Sequence, residues 1–191
     1  KLINLLFKKQ NMSHKNLSAT IKIPKLLKDK LKNNKINQIY YHFERSLKID
    51  QNFLVGISGG PDSLALAFLA KIYSIKKNLK VKFYIVDHKL RPDSTKEAKN
   101  VKKILKKFFI NAEILTWHGR KPISNIQSLA RKKRYELLIS MCKKQKFNNI
   151  LLGHHQDDLF EIFFIRILRG SGLKGLVSFK KKSKTNNVNI L

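Results

Sequence analysis

Acidic residues are scarce in this chain: 12 Asp and Glu stand against 41 Lys and Arg, a formal net charge of +29 over 191 residues. A folded domain so unbalanced repels itself unless a polyanion offsets the charge, so composition favours nucleic acid as partner, ahead of an anionic membrane surface. Arginine is scarce as well. Only Arg45, Arg91, Arg120, Arg131, Arg134, Arg166 and Arg169 occur, and the remaining bases are lysines among many asparagines and isoleucines, a pattern that nucleotide bias in the gene also produces. The one cysteine, Cys142, excludes an intramolecular disulfide and any structural site built from several thiolates, and points to a reducing, cytoplasmic setting. No run approaches the roughly 18 apolar residues of a spanning helix. Leu2–Phe7 is too short and interrupted for a signal core, so a soluble protein without a membrane role is expected. Residues 1–28 lack acids, but they are lysine-rich rather than arginine- and serine-rich, which speaks against an organellar transit peptide. Because the chain starts at Lys1, it reads as a fragment, or as a translation beginning upstream of Met12.

What is present supports a packed core, since 42% of residues are hydrophobic. Residues 1–50 are basic and glycine-free, with weak helical periodicity at Ile36, Ile39, Tyr40 and Phe43; an arm leading into a short helix is expected there. From residue 51 the texture changes. Apolar runs at 53–57, 81–86, 112–117 and 149–152 alternate with amphipathic stretches at about 61–75, 94–108, 125–143 and 156–169. Strand and helix alternating at this spacing predict βαβ units, hence a doubly wound, mostly parallel α/β sheet with helices on both faces, over residues 51–178. Residues 179–191 read as a basic tail leading into further sequence.

Ligands of such sheets bind beyond the carboxyl ends of the strands, and every run here ends in polar residues. The first is followed by Ser58-Gly59-Gly60-Pro61-Asp62-Ser63. Two glycines permit a tight turn, Pro61 presets the first helical turn, and the helix start with the Ser58 and Ser63 hydroxyls suits a phosphate or pyrophosphate. Asp62 beside a bound anion makes sense as a Mg²⁺ ligand. The turn is neither a Walker loop nor a dinucleotide fingerprint, and an ordinary capped βα turn also accounts for it. The second run gives Asp87-His88 and then Arg91; the fourth gives His154-His155-Gln156-Asp157-Asp158. On a helical wheel Asp158, Glu161 and Arg169 fall within about 80° of one another on an otherwise apolar helix. Such a stripe serves either a site or an internal ion pair. Arg131 and Arg134, one turn apart, suit phosphate oxygens or simply a wet helix face. Cys142, at a helix end, is expected to be inert.

Ser58–Ser63 resembles the Ser-Gly-Gly-x-Asp-Ser loop of PP-loop ATP pyrophosphatases. Val86-Asp-His-Lys-Leu-Arg-Pro-Asp-Ser94, Asn125-Ile-Gln-Ser-Leu-Ala-Arg-Lys-Lys-Arg-Tyr135, Gly153-His-His-Gln-Asp-Asp-Leu-Phe-Glu161 and Arg169-Gly-Ser-Gly172 resemble blocks of the tRNA(Ile)-lysidine synthases. Gln127 departs from that pattern, which usually has glutamate, and puts an acidic role there in doubt. The resemblance implies ATP as substrate, bound on Ser58, Gly59, Gly60, Pro61, Asp62 and Ser63, with Mg²⁺ held by Asp62 and Asp158. It implies catalytic roles for Asp62, His155, Asp158 and Glu161, and contacts to tRNA or phosphate from His88, Arg91, Arg131, Arg134 and Arg169. The implied reaction joins free L-lysine to C2 of the wobble cytidine of a CAU-anticodon isoleucine tRNA through an adenylated base; a homodimer is one assembly it admits. Two other readings stand beside it: a PP-loop amidating synthetase acting on a small molecule, and a non-catalytic tRNA-binding module.

Overall fold

The computed structural model describes residues 23–119, 125–153, 183–185 and 187–191. The helix expected at 156–169 lies outside them. Four strands appear where the apolar runs placed them: β1 Phe53–Ile57, β2 Val81–Asp87, β3 Ala112–Thr116 and β4 Asn149–Leu152. The helices between them are α3 Pro61–Lys76, α4 Ser94–Lys107 and α5 Ile126–Lys144. Two further strands close the chain, β5 Ser183–Thr185 and β6 Val188–Ile190. The sheet order is β3-β2-β1-β4-β6-β5, parallel throughout except for the β5–β6 pair.

Side chains alternate across each strand, so β1 serves two cores at once. Phe53, Val55 and Ile57 join Ala67, Ala70 and Tyr73 of α3 and Ala98 and Leu105 of α4 on one face. Leu54 joins Leu138, Ile139 and Cys142 of α5 on the other. Covered on both sides, β1 is buried along its whole length, as a central parallel strand must be. The Cys142 thiol donates to the Phe147 carbonyl at 3.1 Å, and burial pushes its pKa up to about 11. It is therefore held as an unreactive thiol.

The stretch read as an arm with one short helix holds two helices in its described part, α1 Lys25–Leu31 and α2 Asn34–Ser46. Asn33 caps α2 by accepting from the N–H groups of Lys35 and Ile36. Leu27 and Tyr40 are fully buried in the α3-side core. The Tyr73 hydroxyl, 2.6 Å from the Ile49 carbonyl and 2.9 Å from that of Leu47, ties the segment leading into β1 onto α3. At the other end, residues expected to continue as a polar tail add two strands instead. Val188 and Ile190 are buried against the α5 side, and β6 pairs in parallel with β4, Ile190 opposite Ile150. Asn187, at φ +63°, turns the hairpin, a conformation asparagine tolerates well.

Candidate active site

The β1–α3 turn is folded by its own residues. Gly59 sits at φ +95°, and a Cβ there would also meet the Val101 methyl at 3.0 Å, so the chain reverses here only because glycine stands here. Gly60 precedes Pro61, the first residue of α3, where the missing N–H of proline costs nothing. Ser63 is buried and closes the loop: its Oγ accepts from Gly59 N at 3.1 Å and donates to the Gly60 carbonyl at 2.9 Å. The hydroxyl expected to face a phosphate thus braces the turn, while Ser58 and Asp62 are exposed. The first turn of α3 points its backbone N–H groups beyond the strand ends, the arrangement of an anion site.

A second element supports this turn from beneath. Gly153 ends β4, and a Cβ added there would lie 3.1 Å from Ser63 Cα and 3.2 Å from Ser63 N. Glycine lets β4 finish directly under the start of α3, where any Cβ would press on the Ser63 backbone. The sequence carries a signal for it, the glycine immediately after an apolar run.

Beside the turn opens a cavity of about 550 Å³ whose polar wall includes Ser58, Gly59, Gly60, His88, Arg91 and Arg134. Its apolar side comes from Val86, Leu90, Ala98, Val101 and Ile104. Asp87, at the end of β2, is buried and engaged: Lys89 N donates to Oδ1 at 3.0 Å and Thr95 Oγ1 to Oδ2 at 2.6 Å. Burial alone would raise its pKa. The hydrogen bonds from Thr95 and Lys89, the nearby Ser94 hydroxyl and the Lys89 charge outweigh that and hold it below the usual carboxylate value. Asp87 is therefore the ionised brace of the β2–α4 turn, and Thr95 is a participant the sequence did not flag.

His88 follows Asp87 into the cavity wall. Among the described residues neither of its buried ring nitrogens has a hydrogen-bond partner. Burial and the positive charge of Arg134 depress its pKa against the pull of Asp87, so the imidazole is neutral at neutral pH. It offers one donor and one acceptor to whatever enters. Arg91 reaches across the rim to Glu97 at 2.8 Å, an exposed pair. Arg131 lies outside the wall, with its guanidinium carbon 5.9 Å from the Tyr135 ring centroid.

The structure thus gathers Ser58, Gly59, Gly60, His88, Arg91 and Arg134 around one cavity, with Pro61, Asp62 and Ser63 in the adjoining first turn of α3. His155, Asp158, Glu161 and Arg169 lie outside the described residues. Among those described, no group of three or more His, Cys, Asp or Glu side chains is arranged to hold a metal. Asp62, an exposed carboxylate at a helix start that suits phosphate, fits the habit of Mg²⁺ of taking one or two carboxylates plus phosphate oxygens and water. No described helix is long and apolar enough to cross a membrane.

Residues 28–191 match the PP-loop domain family. The chain is 42% identical over 124 residues to the tRNA(Ile)-lysidine synthase of Orientia tsutsugamushi, covering 65% of this chain and 28% of that protein. It is 39% identical over 139 residues to the enzyme of the same name from the Wolbachia of Brugia malayi, with 72% and 32% covered, and 35% identical over 137 residues to that of Rhodopseudomonas palustris, with 71% and 40% covered. It therefore spans between about a quarter and two fifths of the length of these relatives. A solved structure, the U34-tRNA thiolase NcsA from Methanococcus maripaludis with its [4Fe-4S] cluster, superposes with a TM-score of 0.64 at 20% identity, over 78% of this chain and 55% of that one, a likeness of fold. With the family match running from α1 to the last strand and the glycine turn braced at the end of β1, this chain belongs to the PP-loop domain family.

Proposed function

We propose that this chain is the ATP-using catalytic domain of a tRNA(Ile)-lysidine synthase, a cytoplasmic enzyme acting on an isoleucine tRNA with a CAU anticodon. The observation that carries the proposal is the self-braced Ser58–Ser63 turn opening beside a half-apolar, half-polar cavity that Arg134 lines. That shape suits a nucleotide, with its base against Val86, Val101 and Ile104 and its phosphates toward Gly59, Gly60 and the start of α3. Asp62, with Asp158, would hold Mg²⁺, which when bound offsets phosphate charge. His88, Arg91, Arg131, Arg134 and Arg169 would contact tRNA or phosphate, His88 as a neutral hydrogen-bonding group.

In the proposed reaction the cytidine O2 attacks the α-phosphorus and pyrophosphate leaves. The ε-amine of lysine then attacks C2, AMP leaves with the oxygen, and a carboxylate, Asp158 or Glu161, takes the amine proton with His155 orienting it. We take residues 51–178 as the catalytic unit proper, with α1 and α2 packed on its core and the β5–β6 hairpin completing its sheet. A homodimer is the assembly we propose to test by sedimentation. Thiol-based chemistry of the kind run by cysteine pairs has no support here, because the sequence holds one cysteine and that thiol is buried. The deciding experiment is ATP–pyrophosphate exchange with and without CAU-anticodon tRNA. Exchange that requires this tRNA supports the proposal; exchange driven by a small amide acceptor alone favours an amidating synthetase, and tRNA binding without exchange a binding module.

A further inference from the structure

We infer that the outer face of α4 is a docking surface for the phosphate backbone of RNA, with Phe109 at its far end as a stacking platform for an unpaired base. The inference rests on RNA being the substrate, as proposed above. It names a surface outside the cavity.

Lys96, Lys99, Lys102, Lys103, Lys106 and Lys107 are all exposed. At 100° per residue they fall within an arc of about 140°, with Val101 opposite its centre and the buried Ala98 and Leu105 off one edge. Among the described residues none of the six is in an ion pair, and the one acid of α4, Glu97, is taken by Arg91 on the cavity side. Lys99 repels Lys102 and Lys103, and Lys103 repels Lys106 and Lys107, each pair at the spacing where helix neighbours meet. A polyanion laid along this face relieves that repulsion. Three of the basic residues of α5 are differently used: Arg134 lines the cavity, Lys133 pairs with Glu136 at 2.7 Å, and Arg131 lies near Tyr135.

Phe109 supplies the second observation. It stands at φ +59° just past the helix end, where Ile110 N bonds back to the Leu105 carbonyl at 3.1 Å. This position ordinarily falls to glycine or asparagine, and Asn78 fills the corresponding place after α3. A bulky aromatic held in a disfavoured backbone conformation, yet 54% exposed, contributes little to the core. An exposed ring beside a lysine track is the combination that binds unpaired nucleotides. The helix is 14 residues long, about 21 Å, which is room for several consecutive phosphates.

The test measures binding of CAU-anticodon tRNA to this chain across a salt series. Alanine at Lys99, Lys102, Lys103 and Lys106, which favours the helix and is checked by circular dichroism, is expected to weaken binding at least tenfold and lower the log–log salt slope by about two to three. Phe109→Gly is expected to weaken binding severalfold with the slope unchanged. A control with alanine at Lys28, Lys30, Lys143 and Lys144 removes the same charge elsewhere and is expected to change affinity less than threefold. Equal loss in both quadruple variants, or no loss in the α4 variant, overturns the inference. Pyrophosphate exchange by the unaltered chain that ignores tRNA overturns the functional proposal instead, so the two failures are told apart.

Discussion

The β1–α3 and β2–α4 turns solve the same problem with different chemistry. Each follows a central parallel strand, each faces the cavity, and each is held by one buried polar side chain. In the first the brace is neutral: the Ser63 hydroxyl bridges Gly59 and Gly60. In the second it is ionised: Asp87 collects the Lys89 N–H and the Thr95 hydroxyl. Motif residues in these turns thus divide into braces and presented groups. Ser63 and Asp87 hold their turns, while Ser58 and Asp62 stand exposed and His88 lines the cavity.

The largest expected effect comes from a presented group. Asp62→Asn should abolish tRNA-dependent pyrophosphate exchange, by at least about a hundredfold, with tRNA affinity within twofold; wild-type exchange would remove Asp62 from the site. Gly153→Ala comes next, because its methyl must push the Ser63 backbone aside. We expect a loss of roughly tenfold or more in exchange and a destabilisation of about 1–3 kcal/mol in urea unfolding. Asp87→Asn should cost about 2 kcal/mol at neutral pH. With its pKa depressed in the folded state, Asp87 contributes stability that is present above the unfolded value near 3.9 and is lost as pH falls through the folded one. The Asn variant should therefore show a flatter acid limb of stability against pH. Ser63→Ala, a neutral brace, should cost about 1 kcal/mol with no such pH signature. A pH-dependent Ser63 effect, or a pH-independent Asp87 effect, breaks the comparison. The smallest effect is at His88. Its depressed pKa means that the unfolded chain takes up the proton first, so stability falls as pH drops below about 6.5, and His88→Gln should remove that slope.

The parallel sheet was legible because β1 to β4 are short, mainly apolar runs at the spacing of βαβ units, and α4 between β2 and β3 carries a clear helical period. The glycine turn was legible from Gly59, Gly60 and Pro61, whose backbone constraints are local. What escaped depends on distant partners. Leu27 looks unremarkable in a lysine-rich stretch, and Tyr40 is one member of a weak period, until α3 gives them a surface; Val188 and Ile190 offer two apolar residues, too few for a period, until β4 gives them an edge. The same holds for the site. Asp62 and His88 announce themselves by type, whereas the bracing role of Ser63, the Thr95–Asp87 bond and the need for glycine at 153 exist only once three segments meet.

The closing hairpin has a further consequence. Because β6 runs parallel to β4 and β5 runs against both, Ser183 is level with Ile190 and Ile190 with Ile150. The chain therefore leaves β4 at Gly153 and re-enters the sheet at Ser183, two strands over and level with Ile150 instead of with the strand end. A strand three residues long is thereby placed at the outer edge of the sheet, running against β6 and covering its free side. So short an edge leaves few unpaired backbone groups to template pairing with another chain. Three residues of edge strand thus guard the sheet against edge-to-edge association.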